Sequence, residues 1–185
     1  MELCIKYQDK DYTFRFSRPS EKDLNAFIEL NRKGKTEKAS HVLIFSAVDP
    51  RDRTKLKEAP EVVRDKVAII IGQHLGLTEE EPYIEEGKLY VPVYDPELEI
   101  EMFEEFTLKD FDYDKTKELI KNARGIKLIE KMKEAIINTI EEDKKMKTIL
   151  ESYPLLALRI FPVIIKAVED EVKAEIKKSE NSQQK

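Results

Sequence analysis

The sequence has no tryptophan, one cysteine, two histidines and only five glycines. Each scarcity excludes something. A single Cys4 cannot form a disulfide within the chain, and beside Leu3 and Ile5 it reads as a small buried hydrophobe, not a nucleophile. Few glycines leave little room for the Gly-rich loops that wrap phosphates or dinucleotides. His41 and His74 lie far apart with no Cys or His nearby, whereas a zinc site needs several such ligands at short spacing. No metal or cofactor is expected. Long apolar runs are missing too. Val67–Ile71 is among the longest, well short of the roughly 20 residues that span a bilayer. No signal-peptide pattern opens the sequence. The expectation is a cytoplasmic protein (host cytoplasm if the source is viral) with no membrane partner.

Charge is abundant. Asp, Glu, Lys and Arg make up 38% of residues, against about a quarter in an ordinary globular chain. The net charge of −5 argues against a nucleic-acid partner. With 41% hydrophobic residues arranged in periodic stripes, the chain reads as helical, with solvated outer faces.

Met1–Ser17 reads as a hairpin. Leu3, Ile5 and Tyr7 alternate, residues 8–11 turn, and Tyr12, Phe14 and Phe16 alternate again. Ser20, with Asp23 three residues on, opens a helix carrying Leu24, Phe27 and Ile28. A second helix carries Ala39, Val42, Leu43 and Phe45, and Asp49-Pro50 ends it. A turn around Asp52–Lys57 leads to Pro60 and a third helix burying Val63, Val67, Ile70 and Ile71. Residues 78–82 read as an acidic linker. Residues 83–94 read as a small extra hairpin, whose second strand Pro92 confines to an edge. Leu98, Ile100 and Met102, then Phe106 and Leu108, suggest another hairpin. Asp112–Asp114 could cap a helix with Leu119 and Ile120, and Ile126–Ile140 forms the next. Glu141–Lys145 reads as a charged break before Ile149, Leu150 and Tyr153-Pro154. A strongly apolar last helix follows, expected to kink or restart at Pro162.

The second half thus repeats the plan of the first. Pro60 and Pro154 stand 94 residues apart, as do Leu56 and Leu150, and Ile70-Ile71 and Ile164-Ile165; near the start of each half the spacing is 95. The reading is α+β, mostly α: two similar units, each a β-hairpin followed by amphipathic helices. Their spans are 1–77 and 97–178, with a linker over 78–96 and a disordered tail over 179–185.

No catalytic constellation emerges. Gly34-Lys35-Thr36 mimics part of a P-loop, but Glu29 stands where the earlier glycine is needed, and the segment follows a helix. The carboxylate runs lack a histidine or apolar pocket to split their pKa values. An enzyme is not expected.

Phe16-Ser17-Arg18-Pro19-Ser20-Glu21-Lys22-Asp23-Leu24 after an aromatic-rich hairpin, then Val48-Asp49-Pro50, then Leu56-x-x-x-Pro60 leading into an apolar helix ending at Gly76-Leu77, resembles the tail assembly chaperones of long-tailed phages. Leu150-Glu151-Ser152-Tyr153-Pro154 is similar to that family's lead into its last helix. The resemblance covers about 1–77 and, more loosely, 97–172, here as a tandem duplicate. It implies a non-enzymatic protein that coats a long, apolar, helical tape-measure-like protein until tail-tube subunits replace it. The candidate partner-binding residues are Leu155, Leu156, Leu158, Ile160, Phe161, Val163 and Ile164, with Val67, Ile70 and Ile71 in the first unit. The alternative is an intracellular adaptor or scaffold that self-associates, dimerising through its C-terminal apolar helix.

Overall fold

The computed structural model describes residues 1–109 and 113–183. Its elements are mixed α+β and mostly α, with two small antiparallel sheets. They fall into two compact units. Met1–Leu77 with Arg124–Lys127 forms one; Thr78–Ala123 with the chain from Leu128 onward forms the other. Among the described residues, no helix is long and apolar enough to cross a membrane.

In the first unit, β1 (Glu2–Tyr7) and β2 (Lys10–Arg15) pair from Glu2↔Arg15 to Tyr7↔Lys10. Gln8 and Asp9 both take positive φ, 48° and 58°, the backbone of a tight two-residue hairpin turn. Alternation buries Ile5 and Phe14 on one face. Cys4 falls on the other face and is exposed, contrary to the expectation of a buried thiol. Helix α1 (Glu21–Arg32) starts at Ser20, whose hydroxyl accepts the Asp23 N–H, and buries Leu24, Phe27 and Ile28. Helix α2 (Thr36–Ala47) buries Ala39, Leu43 and Ala47. The segment expected as a turn is instead a short helix, α3 (Arg53–Glu58), anchored by buried Leu56. Helix α4 (Glu61–His74) follows Pro60 and buries Val63, Val67 and Ile71.

In the second unit, β3 (Tyr83–Glu85), β4 (Lys88–Asp95) and β5 (Ile100–Thr107) form one sheet in that order. Two sequence readings change here. Residues 83–94 do form the expected hairpin, β3–β4 turning at Glu86-Gly87, but it belongs to the second unit's sheet and not to a linker. Residues 97–99, expected in a strand, lie between β4 and β5, and β5 runs unbroken where a turn was expected near 103–105. β4 is the middle strand, yet β3 pairs with it only over Lys88–Tyr90, so at Pro92 only β5 flanks it. The proline therefore still sits where one side of its strand needs no donor. The acidic segment 78–82 is also held in place. Glu101's carboxylate accepts the N–H groups of Glu79 and Glu80, and Arg159 donates to the Glu80 carbonyl.

Helices α5 (Tyr113–Lys121), α6 (Ile126–Asn138), α7 (Asp143–Ser152) and α8 (Ala157–Gln183) complete the chain. The proposed cap at Asp112 and the Leu119 side chain lie outside what is described. The charged stretch read as a break already enters α7 at Asp143. Helix α8 continues through Pro162 without the expected restart, and it extends over residues 179–183, which were expected to be disordered. Residues 184 and 185 lie outside the described residues.

The two units share an order, a hairpin and then four helices, and they share a latch. In the first, Phe16 bridges Val48 just past α2, flanked by Ser17 N–H to Ala47 O and Asp49 N–H to Arg15 O, both 2.9 Å. In the second, Leu108 bridges Ile140 just past α6, flanked by Lys109 N–H to Thr139 O and Glu141 N–H to Thr107 O, both 3.0 Å. Every residue in this set has its counterpart 92 positions on. At the start of the next helix the spacing is 90: Asp52 O accepts from Leu56 N–H, and Glu142 O from Met146 N–H. α7 then runs four residues longer than α3, about one turn, which restores 94 at Pro60 and Pro154.

Candidate functional site

The residues first read as a partner surface are mostly core. Leu155, Leu156, Ile160, Phe161 and Ile164 are buried, as are Val67 and Ile71. Leu158, Val163 and Ile70 are half-buried. Leu155 and Leu156 precede α8 instead of belonging to it. The apolar stretch is broad because it packs on several sides at once, which is what a helix hydrophobic around much of its circumference signals. An adaptor dimerising through these side chains would have to open its own core. Tyr153, from the motif that carried the family resemblance, donates its hydroxyl to the Tyr94 carbonyl and so ties the turn before α8 to β4.

Besides Met1, Val62 and Ile69 of the first unit, the exposed large apolar side chains gather in the second unit. Leu98, Ile100, Met102 and Phe103 are 61%, 49%, 42% and 42% exposed, and Tyr83 is also 42% exposed. Four lie on strands of the second unit's sheet, and Leu98 lies in the turn between β4 and β5. Ile100 and Met102 share a face of β5 with buried Phe106, beyond the point where the core ends. Phe103 lies on the opposite face, where its ring meets Tyr83 edge-on at 5.4 Å, and Tyr83 stacks on Tyr90 at 4.8 Å. The far end of the β4–β5 hairpin is thus a greasy arm on both faces. Sequence alternation did mark Leu98, Ile100 and Met102 as apolar. It could not tell an exposed arm from a core strand, because both have the same period.

Around the arm the charge is of one sign. Residues 78–107 hold eleven Asp or Glu and a single Lys. Lys88 pairs with Glu105 and raises no net positive charge. Lys145, from α7, reaches Glu104 at 2.6 Å and lies 4.9 Å from the Phe106 ring centroid.

The titratable groups elsewhere do structural work. The Arg15 guanidinium and backbone N–H both donate to Asp52, holding its pKa down at about 2. Arg51 does the same for Asp49, well below the usual carboxylate range. His74 packs 5.1 Å from Phe16, and burial lowers its pKa, with a smaller contribution from the N-terminal ammonium. His41 stacks on Phe45. The Gly34-Lys35-Thr36 segment is the turn between α1 and α2. Gly34 takes φ +69°, Lys35 N–H reaches Leu30 O, and Gly34 N–H reaches Asn31 O, so it closes a helix and does not cradle a phosphate. Among the described residues, no group of His, Cys, Asp or Glu side chains is placed to hold a metal ion.

Comparisons with protein-family models, with curated proteins and with solved structures find no match to this chain.

Proposed function

We propose that this chain is a non-enzymatic binding protein of the tail-assembly-chaperone kind, working in the cytoplasm to shield a long, apolar, tape-measure-like partner. The observation that carries the reading is the arm. A small unit leaves Leu98, Ile100, Met102 and Phe103 of one hairpin, and Tyr83 of the adjoining β3, exposed, although its own core is well filled by Leu89, Val91, Phe106, Ile136 and Leu156. Clustered exposed apolar side chains of this size mark a surface meant to be covered. The acidic surroundings keep such a surface soluble until a partner arrives. The family resemblance of residues 1–77 supplies the class of partner; the arm supplies the means. The binding surface in this reading is the arm, not the apolar stretch around α8.

Co-expression with candidate tape-measure proteins, followed by mass measurement of the purified complex, tests the reading. A soluble stoichiometric complex is expected, and replacing Ile100 and Met102 by lysine should abolish it while the chain stays folded. A complex that forms equally well with both lysines in place would refute the role of the arm.

A further inference from the structure

The arm has an edge as well as faces, and the hydrogen bonds around β5 show which way that edge points. Leu108 N–H turns toward the Gly87 carbonyl at 3.2 Å, on the β4 side. Thr107 N–H and C=O, and Lys109 N–H, turn the other way, to Glu142, Glu141 and Thr139. Antiparallel strands alternate in this respect, so Glu101, Phe103 and Glu105 point their backbone groups outward while Ile100, Met102, Glu104 and Phe106 bond to β4. The segment 139–142 covers the outer edge at Thr107 and Lys109. Among the described residues, no hydrogen bond meets the outward backbone groups of Phe103 and Glu105.

The first unit closes the same edge. Thr13 occupies in β2 the place of Glu105, and its carbonyl accepts a hydrogen bond from Lys55 Nζ at 2.6 Å. The corresponding lysine, Lys145, is drawn instead to the Glu104 carboxylate. One unit blunts its edge with a lysine at Thr13; in the other, among the described residues, no such bond closes the edge at Phe103 and Glu105.

We propose that β5 takes an added antiparallel strand from a partner segment with basic residues opposite its glutamates and apolar residues opposite its apolar side chains, extending the ladder that residues 139–142 begin. This rests on the reading that the arm is the binding surface and names what sits there. The charge decides the occupant. A second copy paired through its own β5 and centred on Phe103 would set Glu101 opposite Glu105 on the same face, at both ends of the contact, and like charges directly opposite repel. A strand with lysine or arginine opposite Glu101, Glu104 and Glu105, whose carboxylates already engage the Glu79 and Glu80 N–H groups, Lys145 and Lys88, adds positive charge to an arm with a large acidic excess, and apolar residues opposite Ile100, Met102 and Phe103 cover its exposed side chains. Backbone hydrogen bonds would provide the affinity and the alternating side chains the selectivity.

The test uses the full chain and a fluorescent ten-residue peptide with lysine opposite the three glutamates and valine opposite the three apolar residues. Binding is read by anisotropy. Binding should weaken with added salt, and N-methylation of the peptide's inward amides should weaken it by about tenfold or more. Phe103→Pro removes the outward N–H without touching the β4 ladder and should weaken binding about tenfold beyond Phe103→Ala, which keeps that N–H. An N-methylated peptide that binds as well as the parent would overturn the added strand, whether or not the proline variant folds. A helical peptide of equal charge that binds the arm, insensitive to N-methylation, would overturn it too while leaving the chaperone reading standing. If Ile100 and Met102 lysine substitutions leave every interaction unchanged, both ideas fail. A dimer abolished by Phe103→Pro, with no peptide binding, would assign the edge to a second copy and defeat the proposal.

Discussion

Phe14 and Phe106 occupy the same place in two hairpins that end very differently. Each ring is fully buried, each pairs across its ladder with a leucine, Leu3 or Leu89, and each lies under a lysine, Lys55 at 5.3 Å or Lys145 at 4.9 Å. Beyond these rings the hairpins diverge. The first runs six residues per strand to a polar tip at Gln8-Asp9. The second runs eight per strand, and its distal end carries the exposed Ile100 and Met102, with Leu98 in the turn beyond. The latch to the helices is therefore the shared structural part, and the distal hairpin is where the units differ in surface.

The largest effects should fall on the shared part. Phe14→Ala and Phe106→Ala each remove a fully buried ring and should cost about 3–5 kcal/mol, read by urea unfolding. A cost under 1 kcal/mol at either site would break the equivalence. Next comes the extra turn of α7. Met146 and Leu150, four residues apart, are both buried, whereas α3 has Leu56 alone. Deleting Lys147–Leu150 shortens α7 to the length of α3 and keeps the helix nearly in phase, since 3.6 residues make a turn. The deletion should cost about as much as Leu150→Ala, roughly 2–5 kcal/mol. Complete unfolding on deletion, with Leu150→Ala tolerated, would show that the turn is not a simple insertion.

The two latches should also separate by pH. Asp52 accepts from both the guanidinium and the backbone N–H of Arg15, so its folded pKa sits at about 2, below its unfolded value. Glu142 accepts from the Thr107 backbone N–H and hydroxyl, and its pKa is lowered mainly by that backbone bond. For both, the folded state holds the proton less tightly. Each contribution is thus present above the unfolded pKa and fades as pH falls through the folded one. That window runs from about pH 4 down to about pH 2 for Asp52. Acid titration of Asp52→Asn should flatten the loss of Tm across that window. Glu142→Gln should flatten a loss that begins nearer pH 4.5. His74, whose folded pKa is also lowered, makes its loss at higher pH, as a protonated imidazole is disfavoured in its half-buried site.

How much of this could be read from the sequence depends on the signal. Helix starts near Ser20 and Pro60 were visible because a capping serine and a proline at a helix entrance are local chemistry, although Pro60 sits at the N-cap and not in the first turn. The repeat was visible, but in a shifted register. The prolines and Leu56 with Leu150 fixed a spacing of 94, whereas β2 and β5 keep 92, because two residues are lost before α7 and four are gained within it. The first strand of the second hairpin was misplaced to residues 97–102, since Leu98, Ile100 and Met102 carry the alternation of a buried strand while standing in water. Burial depends on what packs above a face, which period two does not encode. The same blindness hid the exposure of the arm and assigned the binding role to residues 155–164, most of which are core.

The smallest expected change in stability is the one most telling for the arm. Ile100 and Phe103 are each more than two-fifths exposed, so replacing both by lysine removes little buried area and should move unfolding by no more than about 0.5 kcal/mol per site. Phe103 also gives up its edge contact with Tyr83, a further reason for a small loss and not a gain. Binding of a hydrophobic dye and concentration-dependent self-association should nevertheless fall sharply, because both depend on apolar surface in water and not on the core. The matching change in the first unit, Gln8→Lys at its polar tip, should alter neither readout. A large stability loss in the double lysine variant would mean that the arm is packed as core, and the contrast between the two hairpins would be one of length alone.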